Sequence, residues 1–327
     1  MPADNLKPAI QFENVSLQFP GAVRPAVDRC SLEVNVGELV VILGPSGCGK
    51  TTLMKTVNRL YETTSGRIYL HGTDILELAV TQLRRQIGYV IQQTGLFPHM
   101  TVAQNIAVVP QLLGWSRSRI AARVDELLHL VELSPFEFGD RFPAQLSGGQ
   151  QQRVGVARAL AGDPDVMLMD EPFGAIDAIT RASLQDEILR LQQRLRKTIL
   201  FVSHDVDEAL RLADRILVME KGQVIQFDTP LHILTRPANA FVRELVGADD
   251  TVRQLGLIRV KTAMQSQAMD RSPGGSPAIE CNDTLRRALS LLLCTGAPYL
   301  TVTEGDRAIG VLTLEHIRAS ARVEMKS

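Results

Sequence analysis

Gly44-Pro45-Ser46-Gly47-Cys48-Gly49-Lys50-Thr51 decides the fold, set between the apolar run Leu39-Val40-Val41-Ile42-Leu43 and a helical pattern over Lys50–Leu60. The octet reads G-x-x-x-x-G-K-[ST], and a strand before it with a helix after it is the context that separates a phosphate-binding loop from a chance match. Its glycines let successive backbone N–H groups face phosphate oxygens, and the helix start adds its positive dipole end. The residues from Gly44 through Lys50, Thr51 and Thr52 are therefore expected to hold the phosphates of a nucleotide. Lys50 is spaced to reach the terminal phosphates, and Thr51 to place its hydroxyl on Mg²⁺.

Outward from this loop, Val166-Met167-Leu168-Met169 and Thr198-Ile199-Leu200-Phe201-Val202 repeat the pattern of a run without polar alternation. Such runs fit strands buried on both faces, as parallel sheets require. Between them Leu184, Ile188, Leu191 and Leu195 form one helical stripe over Arg181–Arg196, and Ile120–Leu133 reads as a second helix. Strand-like runs and amphipathic helices alternate from Ile10 to about Val246, which predicts an α/β fold with a helix-covered sheet.

The run at Val166 ends in Asp170-Glu171. A carboxylate at a strand end beside a phosphate loop is placed to hold Mg²⁺, and the next one to polarise an attacking water.

Composition excludes several classes. The chain has 327 residues, 45 % hydrophobic and 22 % charged, enough for two globular domains and unlike a disordered chain. Net charge is −1, so no bulk basic field exists to gather nucleic acid. No apolar run approaches the roughly 20 residues of a membrane helix. The start, Met1-Pro2-Ala3-Asp4-Asn5, does not read as a signal peptide. Cys30, Cys48, Cys281 and Cys294 have neither metal nor disulfide spacing.

Leu146-Ser147-Gly148-Gly149-Gln150-Gln151-Gln152-Arg153 is a glycine-rich turn opening a helix, another anion-binding N-terminus. It resembles the signature motif of ATP-binding cassette (ABC) ATPases, and the resemblance covers about Ile10 to Val246. The resemblance implies a phosphate-loop, RecA-like nucleotide-binding domain over residues 1–248, with a helical subdomain at about 96–158. It assigns Phe19 to stacking on adenine, Glu171 to water activation, Gln92 to Mg²⁺ and the helical subdomain, and His204 to the γ-phosphate. Thr51, Gln92 and Asp170 become the Mg²⁺ ligands. Ala175-Ile176-Asp177 matches the loop that crosses to a partner subunit. Ser147, Gly148, Gly149 and Gln150 are expected to complete the site of a second copy, so ATP would be sandwiched in a head-to-tail homodimer.

The layout, a single cassette without membrane helices, resembles that of importer ATPases. Val90–Val102, with Phe173-Gly174-Ala175-Ile176-Asp177, is similar to the ATPases of glycine betaine, choline and carnitine importers. That resemblance implies integral-membrane permease subunits docked near Thr94–Met100, an extracytoplasmic solute-binding protein acting indirectly, and a place at the cytoplasmic face of the inner membrane. ATPases of amino acid, metal or sugar importers share the cassette pattern, and a non-transport cassette ATPase is the further alternative.

Past Val246 the pattern changes. Gly247-Ala248-Asp249-Asp250 reads as a linker, Asp283 as the cap of a helix through about Cys294, and Tyr299–Thr303 and Ile309–Thr313 as strands. Residues 249–327 are similar to a cystathionine-β-synthase-type (CBS) module, a small α+β regulatory or dimerisation domain. The acidic residue that commonly follows its Gly310-Val311-Leu312-Thr313 motif is replaced here by His316.

Overall fold

In a computed structural model, residues 8–92, 95–174, 177–266, 276–305 and 307–324 are described. Leu39–Leu43, Thr198–Val202 and Val166–Asp170 are buried at every position. They are interior strands of a six-stranded sheet ordered Gln223–Asp228, Arg215–Glu220, Leu39–Leu43, Thr198–Val202, Val166–Asp170, Ile87–Val90. The pairings Ile42↔Leu217, Ile42↔Val202, Asp170↔Val202 and Val90↔Met169 are all parallel. Parallel register brings the carboxyl ends of these strands to one rim, where the loops that follow them meet.

A second, antiparallel sheet is ordered Val27–Val34, Ile10–Leu17, Ser65–Leu70, Thr73–Asp74. Its Phe12, Val15 and Ile68 share one apolar core with Leu53 and Met54 of the helix Lys50–Val57 and with Val40, Leu168 and Leu200 of the parallel sheet. The phosphate loop is thus fixed at both ends by core packing. The helix expected through Leu60 stops at Val57, because the Asn58 carboxamide oxygen accepts from Leu60 N–H and Arg59 turns to φ +52°.

Residues 102–160 are helical, as Val102–Leu112, Arg117–Leu130, Pro135–Phe138 and Gly148–Leu160. Thr101, Ser116 and Ser147 cap three of these, each accepting a backbone N–H three residues on.

The chain forms two compact units, Met1–Phe227 and Asp228–Ser327. The second carries its own sheet, ordered Gln265–Ser266, Arg307–Thr313, Tyr299–Glu304, Ala278–Glu280, beside the helices Leu285–Thr295 and Leu314–Glu324. Leu285, Ala288, Leu300, Val302, Leu312 and Ile317 make its core. Thr284, not Asp283, caps the helix: its hydroxyl accepts from Arg287 N–H, while Asp283 pairs with the Arg287 guanidinium at 2.8 Å. Gly247 ends one helix at φ +63°, and Asp250 caps Thr251–Leu255, so the expected linker is a turn between helices. Among the described residues no helix is long and apolar enough to cross a membrane.

Candidate functional site

Gly44 and Gly49 bracket the phosphate loop with φ of +155° and +107°. A Cβ would stand 2.3 Å from the Met219 carbonyl oxygen at Gly44, and 2.2 Å from that of Ala26 at Gly49. No other residue fits either position. Gly49 is also the N-cap of Lys50–Val57, with no side-chain cap on the helix start, which leaves the first N–H groups for an anion. The Lys50 ammonium lies on the loop itself, donating to the carbonyls of Gly44 (2.7 Å) and Pro45 (3.0 Å). Burial pushes the Cys48 thiol above its ordinary pKa, with Lys50 opposing, so it sits in the loop as a small neutral wedge. Pro45, Ser46, Gly47 and Thr52 continue the same strand–loop–helix unit.

Next to this cradle the Thr51 hydroxyl donates to Asp170 Oδ1 at 2.8 Å, and Lys55 stands 3.6 Å from Oδ2. A hydroxyl and a carboxylate side by side form a hard oxygen donor set. It suits Mg²⁺, which keeps few protein ligands and shares phosphate oxygens.

Glu171 continues past the strand end in a left-handed turn, φ +43°, while its N–H still donates to the Val202 carbonyl at 3.1 Å. The turn aims its carboxylate at two other expected residues. Oε2 accepts from Gln92 Nε2 at 3.0 Å and lies 3.4 Å from His204 Nδ1. Three strand ends therefore deliver Gln92, Glu171 and His204 to one point. A carboxylate held there can take a proton from water.

The signature residues make a separate construction. Ser147 Oγ accepts from Gln150 N–H (3.3 Å), and Gln150 Oε1 accepts from Ser147 N–H (2.9 Å), a capping box at the start of Gly148–Leu160. A Cβ at Gly149 would meet Thr180 Cγ2 at 2.5 Å. Among the described residues no hydrogen bond or ion pair joins 147–150 to the phosphate loop, to Asp170 or to Glu171. Asp177 caps the helix Ala178–Leu195, its Oδ1 accepting from Thr180 N–H at 3.0 Å. Its neighbours Ala175 and Ile176, like Gln93 and Thr94, lie outside the described residues.

Phe19 is exposed and meets Tyr61 edge to face, ring centroids 5.3 Å apart. Tyr61 escaped the sequence reading, although an aromatic just past the phosphate-loop helix is a usable signal. Two residues that shape the Gly95–Met100 segment also escaped it. Asn105, fully buried, accepts from Phe97 N–H and donates to the carbonyls of Phe97, Met100 and Thr101. Arg158, its pKa lowered by burial, donates to the Gly95 carbonyl at 2.7 Å.

In the second unit, His316 is tied to Thr313: Thr313 N–H donates to its Nδ1, and His316 N–H donates to the Thr313 hydroxyl. The position carries a helix-start bond rather than a carboxylate. A cleft of about 430 Å³ on the same unit is lined by Glu280, Asp283, Arg287, Ser290 and Cys294 among others.

A family model described as ABC transporter matches residues 27–174. The chain is 49 % identical, over 86 % of its length and 72 % of the relative's, to a glycine betaine/carnitine/choline transport ATP-binding protein of Bacillus subtilis. It is 50 % identical, over 90 % of its length and 93 % of the relative's, to a glycine betaine uptake system ATP-binding protein of Escherichia coli. A solved dimeric ATP-binding cassette, in a post-hydrolysis state with ADP and Pi, superposes with a TM-score of 0.61 at 32 % identity. That likeness covers 68 % of this chain and 98 % of the other.

Proposed function

The chain belongs to the ABC transporter ATPases, and we propose that it is the ATP-hydrolysing subunit of a bacterial importer of quaternary-amine osmoprotectants. The observation that carries the chemistry is the meeting of Gln92 and His204 on the Glu171 carboxylate, one residue beyond the Asp170–Thr51 pair. The backbone N–H groups within the Gly44–Thr52 loop, Pro45 having none, and the Lys50 ammonium hold the phosphates, and Phe19 stacks on the adenine.

Thr51 and Asp170, with Gln92, hold Mg²⁺, which neutralises charge on the phosphate oxygens when bound. The Glu171 carboxylate orients water toward the γ-phosphorus and takes its proton as the water oxygen bonds to phosphorus and the P–O bond to the leaving ADP breaks. His204 and Gln92, both on that carboxylate, register the γ-phosphate and its loss.

Ser147, Gly148, Gly149 and Gln150 belong to a partner's site in this reading, with Asp177 at the crossing loop. What supports it is the dimeric assembly of the similar solved cassette, and that among the described residues no hydrogen bond or ion pair joins 147–150 to this chain's own phosphate loop. ATP then acts as interface material that draws two copies together, and hydrolysis releases them.

The import role is supported by the printed functions of relatives that align over 86–90 % of the chain, well into its second unit. Permease subunits, fed by a solute-binding protein outside, would dock on the Gly95–Met100 segment that Asn105 and Arg158 hold in shape. That docking puts the chain at the cytoplasmic face of the membrane. We assign residues 1–248 to the ATPase, including the helices Pro230–Thr235 and Ala240–Val246 that begin the second compact unit, and 249–327 to a CBS-like regulatory or dimerising domain.

The test is uptake of labelled glycine betaine, choline and carnitine by cells lacking the chain, in low and high salt. Uptake should be lost, return with the wild-type chain, and fail to return with Glu171→Gln. Unchanged uptake of all three solutes, in cells with no second importer for them, would overturn the osmoprotectant reading.

A further inference from the structure

The His204 side chain is 60 % exposed, and among the described residues its ring has a single polar partner, Glu171. An exposed imidazole with one contact does not hold its own position; the chain on either side must do so. Ser203, before it, donates its N–H to the Ile42 carbonyl at 3.1 Å, which anchors the loop to the phosphate-loop strand. Asp205, after it, donates its N–H to Ser203 Oγ at 3.0 Å. The Ser203 hydroxyl proton goes to Glu208 Oε2. The other oxygen of that carboxylate accepts from Gln185 Nε2 at 3.1 Å.

Glu208 is only 6 % exposed, and Ser203 and Gln185 are equally enclosed. Burying a carboxylate is costly unless its oxygens are bonded, so a helix that needed only packing here would carry an apolar residue. The helix start is already capped without it, since Asp205 Oδ1 accepts from Glu208 N–H. What the carboxylate adds is a clamp on the one hydroxyl that holds both peptide neighbours of His204.

We propose that Glu208 is a positioning residue for ATP hydrolysis, fixing the Ser203–His204–Asp205 backbone so that the imidazole stands at Glu171. The inference rests on the role assigned above to His204.

A double-mutant cycle on the full chain tests it, with steady-state ATPase rates and the Kd of a fluorescent ATP analogue measured for each variant. Glu208→Leu should lower kcat by about tenfold to hundredfold, the scale on which small misplacements act. Analogue affinity should stay within about twofold. In a His204→Ala background the same substitution should cost nothing further, because the two residues act through one contact. Additive losses, with His204→Ala itself impaired, would overturn the proposal and leave the His204 role standing. A normal rate for His204→Ala alone would overturn the His204 role, and the proposal with it. If Glu208→Leu loses its melting transition, Ser203→Ala replaces it in the cycle, with the same expectation and the same overturning result. Glu208→Gln, which keeps one acceptor oxygen, should recover part of the rate; no recovery relative to Leu would also count against the clamp.

Discussion

Thr51 and Asp170 are joined by a hydrogen bond of 2.8 Å between the end of one buried strand's loop and the end of another strand. The pair sets where a divalent cation can sit, and the charge on Asp170 sets how tightly. Asp170→Asn keeps the hydrogen bond and removes the charge. It should raise the Mg²⁺ concentration for half-maximal ATPase by about tenfold or more, since a charge-assisted contact is worth roughly twice a neutral one. A Mg²⁺ titration of the steady-state rate checks this, and an unmoved midpoint would remove Asp170 from the cation site.

Glu171→Gln keeps the shape and the contact with Gln92 while removing the base. Turnover should fall by about 10²- to 10⁴-fold, the usual contribution of general-base catalysis. ATP affinity should change little, because none of the phosphate-loop contacts involves Glu171. Single-turnover hydrolysis beside equilibrium nucleotide binding separates the two effects.

Gly49→Ala places a methyl group 2.2 Å from a backbone carbonyl at φ +107°. Left-handed backbone alone costs about 1–2 kcal/mol for a residue with a Cβ, and the clash adds to it. The variant should melt several degrees lower and lose ATP binding. Gly148→Ala, whose Cβ would meet nothing within 4 Å, should keep its melting temperature. Differential scanning calorimetry on both decides it.

Glu187 lies in the core side of the helix Ala178–Leu195, 3.3 Å from Arg153 of the signature helix, with Glu132 and Arg190 also facing it. Burial pushes its carboxyl from the ordinary 4.5 up to about 7, against the pull of Arg153. Between those pH values the folded chain binds more protons here than the unfolded one. Its contribution to stability therefore falls as pH rises from 4.5 to about 7 and levels off above. Glu187→Gln removes that slope. The melting temperature of the variant relative to wild type should climb across this window and stay flat beyond it; a constant difference from pH 4.5 to 8 would contradict the shift.

The parts legible in the sequence are those whose chemistry is written into consecutive residues. The phosphate loop needs its glycines at fixed offsets for backbone reasons, and Asp170-Glu171 follow an unbroken apolar run, so both can be read locally. Asn105 cannot, because in Val102–Leu112 a lone amide looks like an outward polar position, and only packing shows it buried under the Phe97–Thr101 loop. Glu208 is hidden in the same way, since its partners Ser203 and Gln185 approach from two directions. Asn58 ends its helix through its own side chain, where the sequence has neither glycine nor proline to mark a stop.

Because the interior strands of the sheet pair in parallel, with long stretches of chain between neighbours, the site's parts are made far apart in time. Lys50 and Thr51 leave the tunnel with a finished loop sequence, yet the carboxylate that Thr51 bonds is translated 119 residues later. At about 5–20 residues per second that is a delay of roughly 6–24 s. During it Leu39–Leu43 has neither of its eventual neighbours, Thr198–Val202 and Arg215–Glu220. A nascent chain of this protein therefore carries an unpaired, wholly apolar strand while about half of its 327 residues are being added, and the Thr51–Asp170 pair is completed only when the later strand arrives.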